Sequence, residues 1–134
     1  MFRIAVVVLF GLLALPAQAF DMAQYRNGGN FSDFLPVISQ YNSSGERFPI
    51  TGVCKSACTM FLSIRNVCVS PGAQFYFHAG KRRGAVDPRQ TSVMLTSYNS
   101  ALQSYIREHH MMETNEFKML SGSTLIKLGY PACR

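Results

Sequence analysis

Gly52-Val53-Cys54-Lys55-Ser56-Ala57-Cys58 closes one structural element and opens another. Before the serine, Phe48 to Val53 is an apolar run of strand length, and Gly52 marks its sharp end. After it, Ala57, Met60, Phe61 and Ile64 recur at helical spacing, predicting a helix from Ser56 to Ile64. A serine at such a turn has two uses. Its hydroxyl can cap the helix, or it can act as a nucleophile whose developing negative charge the helix N-terminus favours. The second use requires a base, because an unassisted hydroxyl attacks poorly.

Downstream, Asn66 stops the helix, Val67 to Val69 reads as a short strand, and Pro71-Gly72 makes a turn. Phe75-Tyr76-Phe77 is an aromatic strand that delivers His78 at its end, and histidine is the usual proton acceptor for a serine near neutral pH. Gly80 to Val86 reads as a basic, glycine-bearing loop. Asp87-Pro88 starts a helix carrying Met94, Tyr98, Ala101, Leu102, Tyr105 and Ile106 on one face. Thr114 and Ser123 open two short helical pieces, the last ended by Gly129 and Pro131. Upstream, Phe20 to Tyr25 reads as a first strand and runs into the breaker Asn27-Gly28-Gly29-Asn30. Ser32 then caps a helix that buries Phe34, Leu35, Val37, Ile38 and Tyr41 and ends at Asn42-Ser43-Ser44-Gly45. The alternation predicts an α/β domain with a largely parallel sheet and flanking helices.

The ends of the chain bound the compartment. Arg3, the apolar run Ile4 to Leu15 and Pro16-Ala17-Gln18-Ala19 have the order of a signal peptide at residues 1–19, cleaved before Phe20. The run is about 12 residues, short of the about 20 that a membrane span needs, and no later segment is longer, so no transmembrane segment is expected after cleavage. Residues 20–134, about 115 residues, suit a single domain that is periplasmic or secreted. Removing Arg3 leaves 12 basic against 7 acidic side chains, with one cluster at Lys81-Arg82-Arg83. The excess is scattered, and export argues against a nucleic-acid partner. Cys54, Cys58, Cys68 and Cys133 form an even set in an oxidising compartment and predict two disulfides. A four-thiolate zinc site competes, but only Cys54 and Cys58 form a close pair. Of three possible connectivities, Cys58–Cys68 with Cys54–Cys133 is favoured.

The order of these pieces resembles the ClpP/crotonase fold, in its serine peptidase branch: the Clp protease proteolytic subunit and the signal peptide peptidase A family. Tyr25-Arg26-Asn27-Gly28-Gly29 is similar to that family's glycine loop, Gly52 to Cys58 to its nucleophile segment, and Val69-Ser70-Pro71-Gly72-Ala73-Gln74-Phe75-Tyr76-Phe77-His78 to the segment that ends on the base. Gly29 and Ser56 are 27 residues apart and Ser56 and His78 are 22 apart, close to the family's separations. Met119-Leu120-Ser121-Gly122-Ser123 with Leu128-Gly129-Tyr130 resembles its C-terminal segment.

The resemblance implies Ser56 as nucleophile and His78 as base, with an oxyanion hole from Gly28, Gly29 and the N–H of Ala57. It also implies self-association, a peptide or small ester substrate, and no cofactor or metal. The family's aspartate is absent before the Leu120 segment; Glu113 and Glu116 are the nearest carboxylates available to orient His78. Two rival readings follow: a non-catalytic binding or assembly protein of the same fold, and an unrelated disulfide-stapled module that binds envelope polymers through Lys81, Arg82 and Arg83. Purified from an exporting host, the mature chain is expected to begin at Phe20; intact mass and N-terminal sequencing check it.

Overall fold

The computed structural model describes residues 20–134; the signal peptide expected at residues 1–19 lies outside them. The elements run α1 (Phe31–Ser44), β1 (Phe48–Ile50), β2 (Val53–Lys55), a 3-10 helix (Ser56–Ser63), β3 (Val67–Val69), β4 (Gln74–Phe77), β5 (Lys81–Arg82), β6 (Ala85–Val86), α2 (Pro88–Thr96), α3 (Ser100–Glu108), β7 (Lys118–Ser121) and α4 (Gly122–Lys127).

The single strand expected over Phe48–Val53 is two strands around a corner. Gly52 turns the chain at a φ of 66°, which a side chain would resist. β1 pairs in parallel with β3, and β2 in parallel with β4. Ser70 N–H donates to Ile50 O (3.0 Å) and Gln74 N–H to Gly52 O (2.8 Å), so the two parallel pairs continue one another across the bend. Arg26 fastens the corner. Its Nη1 donates to Thr51 O (2.5 Å) and Val53 O (3.1 Å), and its own carbonyl accepts from Lys55 N–H (2.8 Å).

The class is mixed α/β, but the largely parallel sheet is replaced among the described residues by three small sheets. β7 pairs antiparallel with β4, Gln74 opposite Ser121 and Phe77 opposite Lys118, satisfying backbone groups on β4's other edge. β5 and β6 form an antiparallel hairpin where a loop was expected.

Other departures have local causes. Phe20 to Tyr25 turns instead of extending, with Tyr25 and Arg26 N–H both on Met22 O (2.9 and 3.1 Å). That turn puts Phe20 and Tyr25 into a cluster with Phe34, Tyr41, Phe48 and Phe61, and aromatic packing outweighs strand propensity. Asn30, not Ser32, is the N-cap of α1. The long helix expected after Asp87 is two helices, because Asn99 starts a second by accepting from Leu102 N–H (2.8 Å). No helix forms at Thr114, and Ser121, not Ser123, caps α4 by accepting from Thr124 N–H (3.1 Å). No helix of the described residues is long and apolar enough to cross a membrane.

The cysteines pair as Cys54–Cys58 and Cys68–Cys133, which overturns the favoured connectivity and consumes all four thiolates. The cause is backbone neighbourhood. One turn of 3-10 helix returns Cys58 to within 5.3 Å, Cα to Cα, of Cys54. The C-terminal segment lies along β3, with Val69 N–H on Pro131 O (2.8 Å) and Cys133 N–H on Val69 O (3.0 Å), which sets Cys133 beside Cys68. By loop-closure entropy the bridge spanning 65 residues contributes about 4 kcal/mol and the bridge spanning 4 about 2 kcal/mol. Cys68→Ser/Cys133→Ser is therefore expected to lower unfolding stability by about twice as much as Cys54→Ser/Cys58→Ser, measured by urea denaturation.

Candidate active site

β2 and β4 run side by side, with Lys55 opposite Tyr76. Ser56 leaves the end of β2 and His78 leaves the end of β4, so both side chains emerge at the same edge, where ligands gather in parallel sheets. Ser56 Oγ and His78 Nε2 are 2.7 Å apart. The hydroxyl is thus directed to the imidazole, and no side-chain cap hydrogen bond is made at the start of the 3-10 helix.

Ser56 has a φ of 55°, a left-handed conformation unusual for a residue with a side chain. Strain of this kind holds an exposed nucleophile at a strand-to-helix turn. Its neighbours keep it there. Thr59 Oγ1 donates to Ser56 O (2.7 Å) and in turn accepts from the Tyr98 hydroxyl (2.5 Å), whose pKa burial pushes up. Gly28 packs directly on the turn: a Cβ there would stand 2.8 Å from Ser56 Cβ and 3.2 Å from Ala57 N.

The expected oxyanion donors are not equivalent. Gly28 N–H donates to Tyr25 O (3.0 Å), so this residue supplies room, not a free donor. Gly29 lines the cleft beside Ser56, and the N–H of Ala57 sits in the first turn of its helix, where no carbonyl one turn earlier is available. The cleft, about 360 Å³, is lined by Asn27, Gly29, Asn30, Ser56, His78 and Phe117, with Lys81 and Arg83 of the β5–β6 hairpin.

The carboxylates are elsewhere. Glu113 Oε1 accepts from His110 Nδ1 (2.6 Å) at the surface, and Glu116 is exposed, its N–H on Thr114 Oγ1 (3.2 Å). Neither bonds His78, so the expected orienting role does not match their placement. His78 is only 4% exposed, and its Nδ1 has no hydrogen-bond partner among the described residues. Phe117 stands beside the imidazole, the two rings edge to face with centroids 4.8 Å apart at 82°. Lys55 Nζ lies 5.2 Å from the Tyr76 ring and 6.0 Å from the Phe117 ring, closing this flank.

Arg26, Thr59, Tyr98 and Phe117 were not singled out from the sequence as parts of the site. Thr59, three residues beyond Ser56 on its helix, carried a usable signal; the long-range partners carried none. No family model, curated protein or solved structure matches the chain.

Burial lowers the pKa of His78 below 6.5, and the nearby positive charge of Lys81 lowers it further, against a smaller opposing effect of the Ala79 backbone. The neutral imidazole is the form that accepts a proton, so a depressed pKa keeps it available as pH falls. Histidine ring NMR is expected to place the His78 midpoint below pH 6.5, and Lys81→Gln is expected to raise it.

Proposed function

We propose that residues 20–134 form a small exported serine hydrolase of the ClpP/crotonase type, acting on peptide or ester carbonyls. The observation that carries this reading is the 2.7 Å contact of Ser56 Oγ with His78 Nε2, made by a serine in a left-handed turn. The fold assignment draws on the two bent parallel strand pairs and on the glycine loop packed against the nucleophile turn. Two disulfides fit an oxidising compartment, and so support export.

In the reaction, Ser56 Oγ attacks the carbonyl carbon while its proton passes to His78 Nε2. The carbonyl oxygen takes up the electron pair and is held by the N–H groups of Gly29 and Ala57. Collapse breaks the bond to the amine or alcohol, which leaves with the proton from His78. Water then attacks the acyl-serine and gives its proton to His78, which returns it to Ser56 as the acid departs.

One observation favours the non-catalytic reading of the same fold: His78 Nδ1 lacks an orienting acceptor, and an aromatic ring stands beside the imidazole. Reaction with a fluorophosphonate probe separates the two. The proposal expects a single adduct on Ser56, lost in Ser56→Ala and slowed about a hundredfold to ten-thousandfold in His78→Ala. Labelling no faster than that of the His78→Ala protein would reject catalysis and leave the binding role.

A further inference from the structure

Part of the wall of the cleft that holds Ser56 is a small cationic hairpin. Lys81 pairs with Val86 and Arg82 with Ala85, and the two residues between them, Arg83 and Gly84, both have positive φ (51° and 81°). That combination is a tight turn that matches strand twist. Its base is tied down: Asp87 N–H donates to Gly80 O (2.8 Å), and Gly80 N–H donates to Thr91 Oγ1 (2.9 Å) on α2. Arginine is an unfavourable choice at a left-handed turn position, yet Arg83 stands there, with its side chain in the cleft wall.

The charges in this wall are uncompensated. Lys81 and Arg83 line the cleft, and no acidic residue does. The one ion pair among the described residues is His110 with Glu113, at a separate surface. Asp87, the acid nearest the hairpin in sequence, spends its carboxylate on Arg89 N–H (2.8 Å). Two exposed cations in the same cleft as Ser56, with no carboxylate in its lining, attract an anionic group there.

We infer that this site selects acidic substrates, peptide or ester acyl groups bearing a carboxylate beside the carbonyl that Ser56 attacks, through Lys81 and Arg83. The inference rests on the hydrolase reading for its chemistry, but its charge preference is measurable without turnover. Asn27 and Asn30, which also line the cleft, offer neutral donors and acceptors to a substrate backbone.

The test has two arms on the exported protein. In the first, p-nitrophenyl hemisuccinate and p-nitrophenyl butyrate are compared. The ratio of their kcat/KM values is expected to favour the anionic ester about tenfold, to fall toward one in Lys81→Gln/Arg83→Gln, and to shrink as salt is raised. Equal ratios in the wild-type and doubly substituted proteins would overturn the inference while leaving Ser56 chemistry intact. In the second arm, the Ser56→Ala protein is titrated with two peptides that differ only in Glu against Gln. Tighter binding of the Glu peptide, abolished by the double substitution, supports the inference even where neither ester is hydrolysed, and in that case the hydrolase reading alone fails. Equal binding of both peptides, with Lys81- and Arg83-dependent binding to vesicles of phosphatidylcholine and phosphatidylglycerol, overturns it in favour of a membrane surface.

Discussion

The parallel register of β2 and β4 is the constraint on which the site depends. Val53 faces Gln74, Cys54 faces Phe75 and Lys55 faces Tyr76, an offset of 21 residues, the difference between 74 and 53. Ser56 stands one residue past the paired part of β2, and His78 two residues past Tyr76. Both therefore leave the sheet at its carboxyl edge with little backbone between them. A slip of one residue would exchange the faces of β4, burying Tyr76 where Phe75 and Phe77 now sit and turning His78 away from the serine. Complete burial of Phe75 and Phe77 opposes that slip. The hydrophobic effect thus fixes the Ser56–His78 distance indirectly, through register.

The strained conformation of Ser56 is the second demand, about 1–3 kcal/mol for a residue held at a left-handed φ. Its supports come from four directions. The glycine loop packs on one side, Arg26 ties the corner before β2, the Cys54–Cys58 bridge clamps the chain two residues before and after the serine, and Thr59 with Tyr98 holds its carbonyl. A strained turn supported from one side would relax. Supports from separate elements make relaxation cost several contacts at once, the condition under which strain persists. The close bridge thus serves the site, while the long Cys68–Cys133 bridge ties the C-terminus to β3 and serves the whole domain.

What was legible in the sequence was local. Phe75-Tyr76-Phe77 ending on His78, a helix beginning at Ser56, and Asp87-Pro88 as a helix start all appear where pattern and capping chemistry placed them, whereas Gly52 turns one strand into another. The illegible parts depend on partners distant in sequence. The aromatic cluster bends Phe20 to Tyr25 out of a strand, and β7 forms because β4 has an edge to pair. The cysteine connectivity follows from which backbones lie adjacent, not from spacing. The same holds for the carboxylates: Glu113 is near the right place in sequence, but His110, three residues away, captures it at the surface.

The unpartnered Nδ1 sets the character of the proposed base. For Nε2 to accept the proton of Ser56, Nδ1 must carry hydrogen, and that buried N–H has no acceptor among the described residues, at a cost of about 1–3 kcal/mol. In the other tautomer Nε2–H donates to Ser56 Oγ, and a bare Nδ1 lone pair is buried instead. Neither form is satisfied, so neither is strongly selected, in contrast to a triad in which a carboxylate fixes the tautomer. Lys81 adds a second handicap by disfavouring the imidazolium that proton transfer creates. An anionic substrate group beside Lys81 would offset that repulsion, so the proposed recognition and the proposed chemistry reinforce one another. Without such a substrate the histidine is a weak base whose conjugate acid is strong. In the proposed reaction a weaker base slows attack on the carbonyl, while a stronger conjugate acid favours protonation of the leaving group.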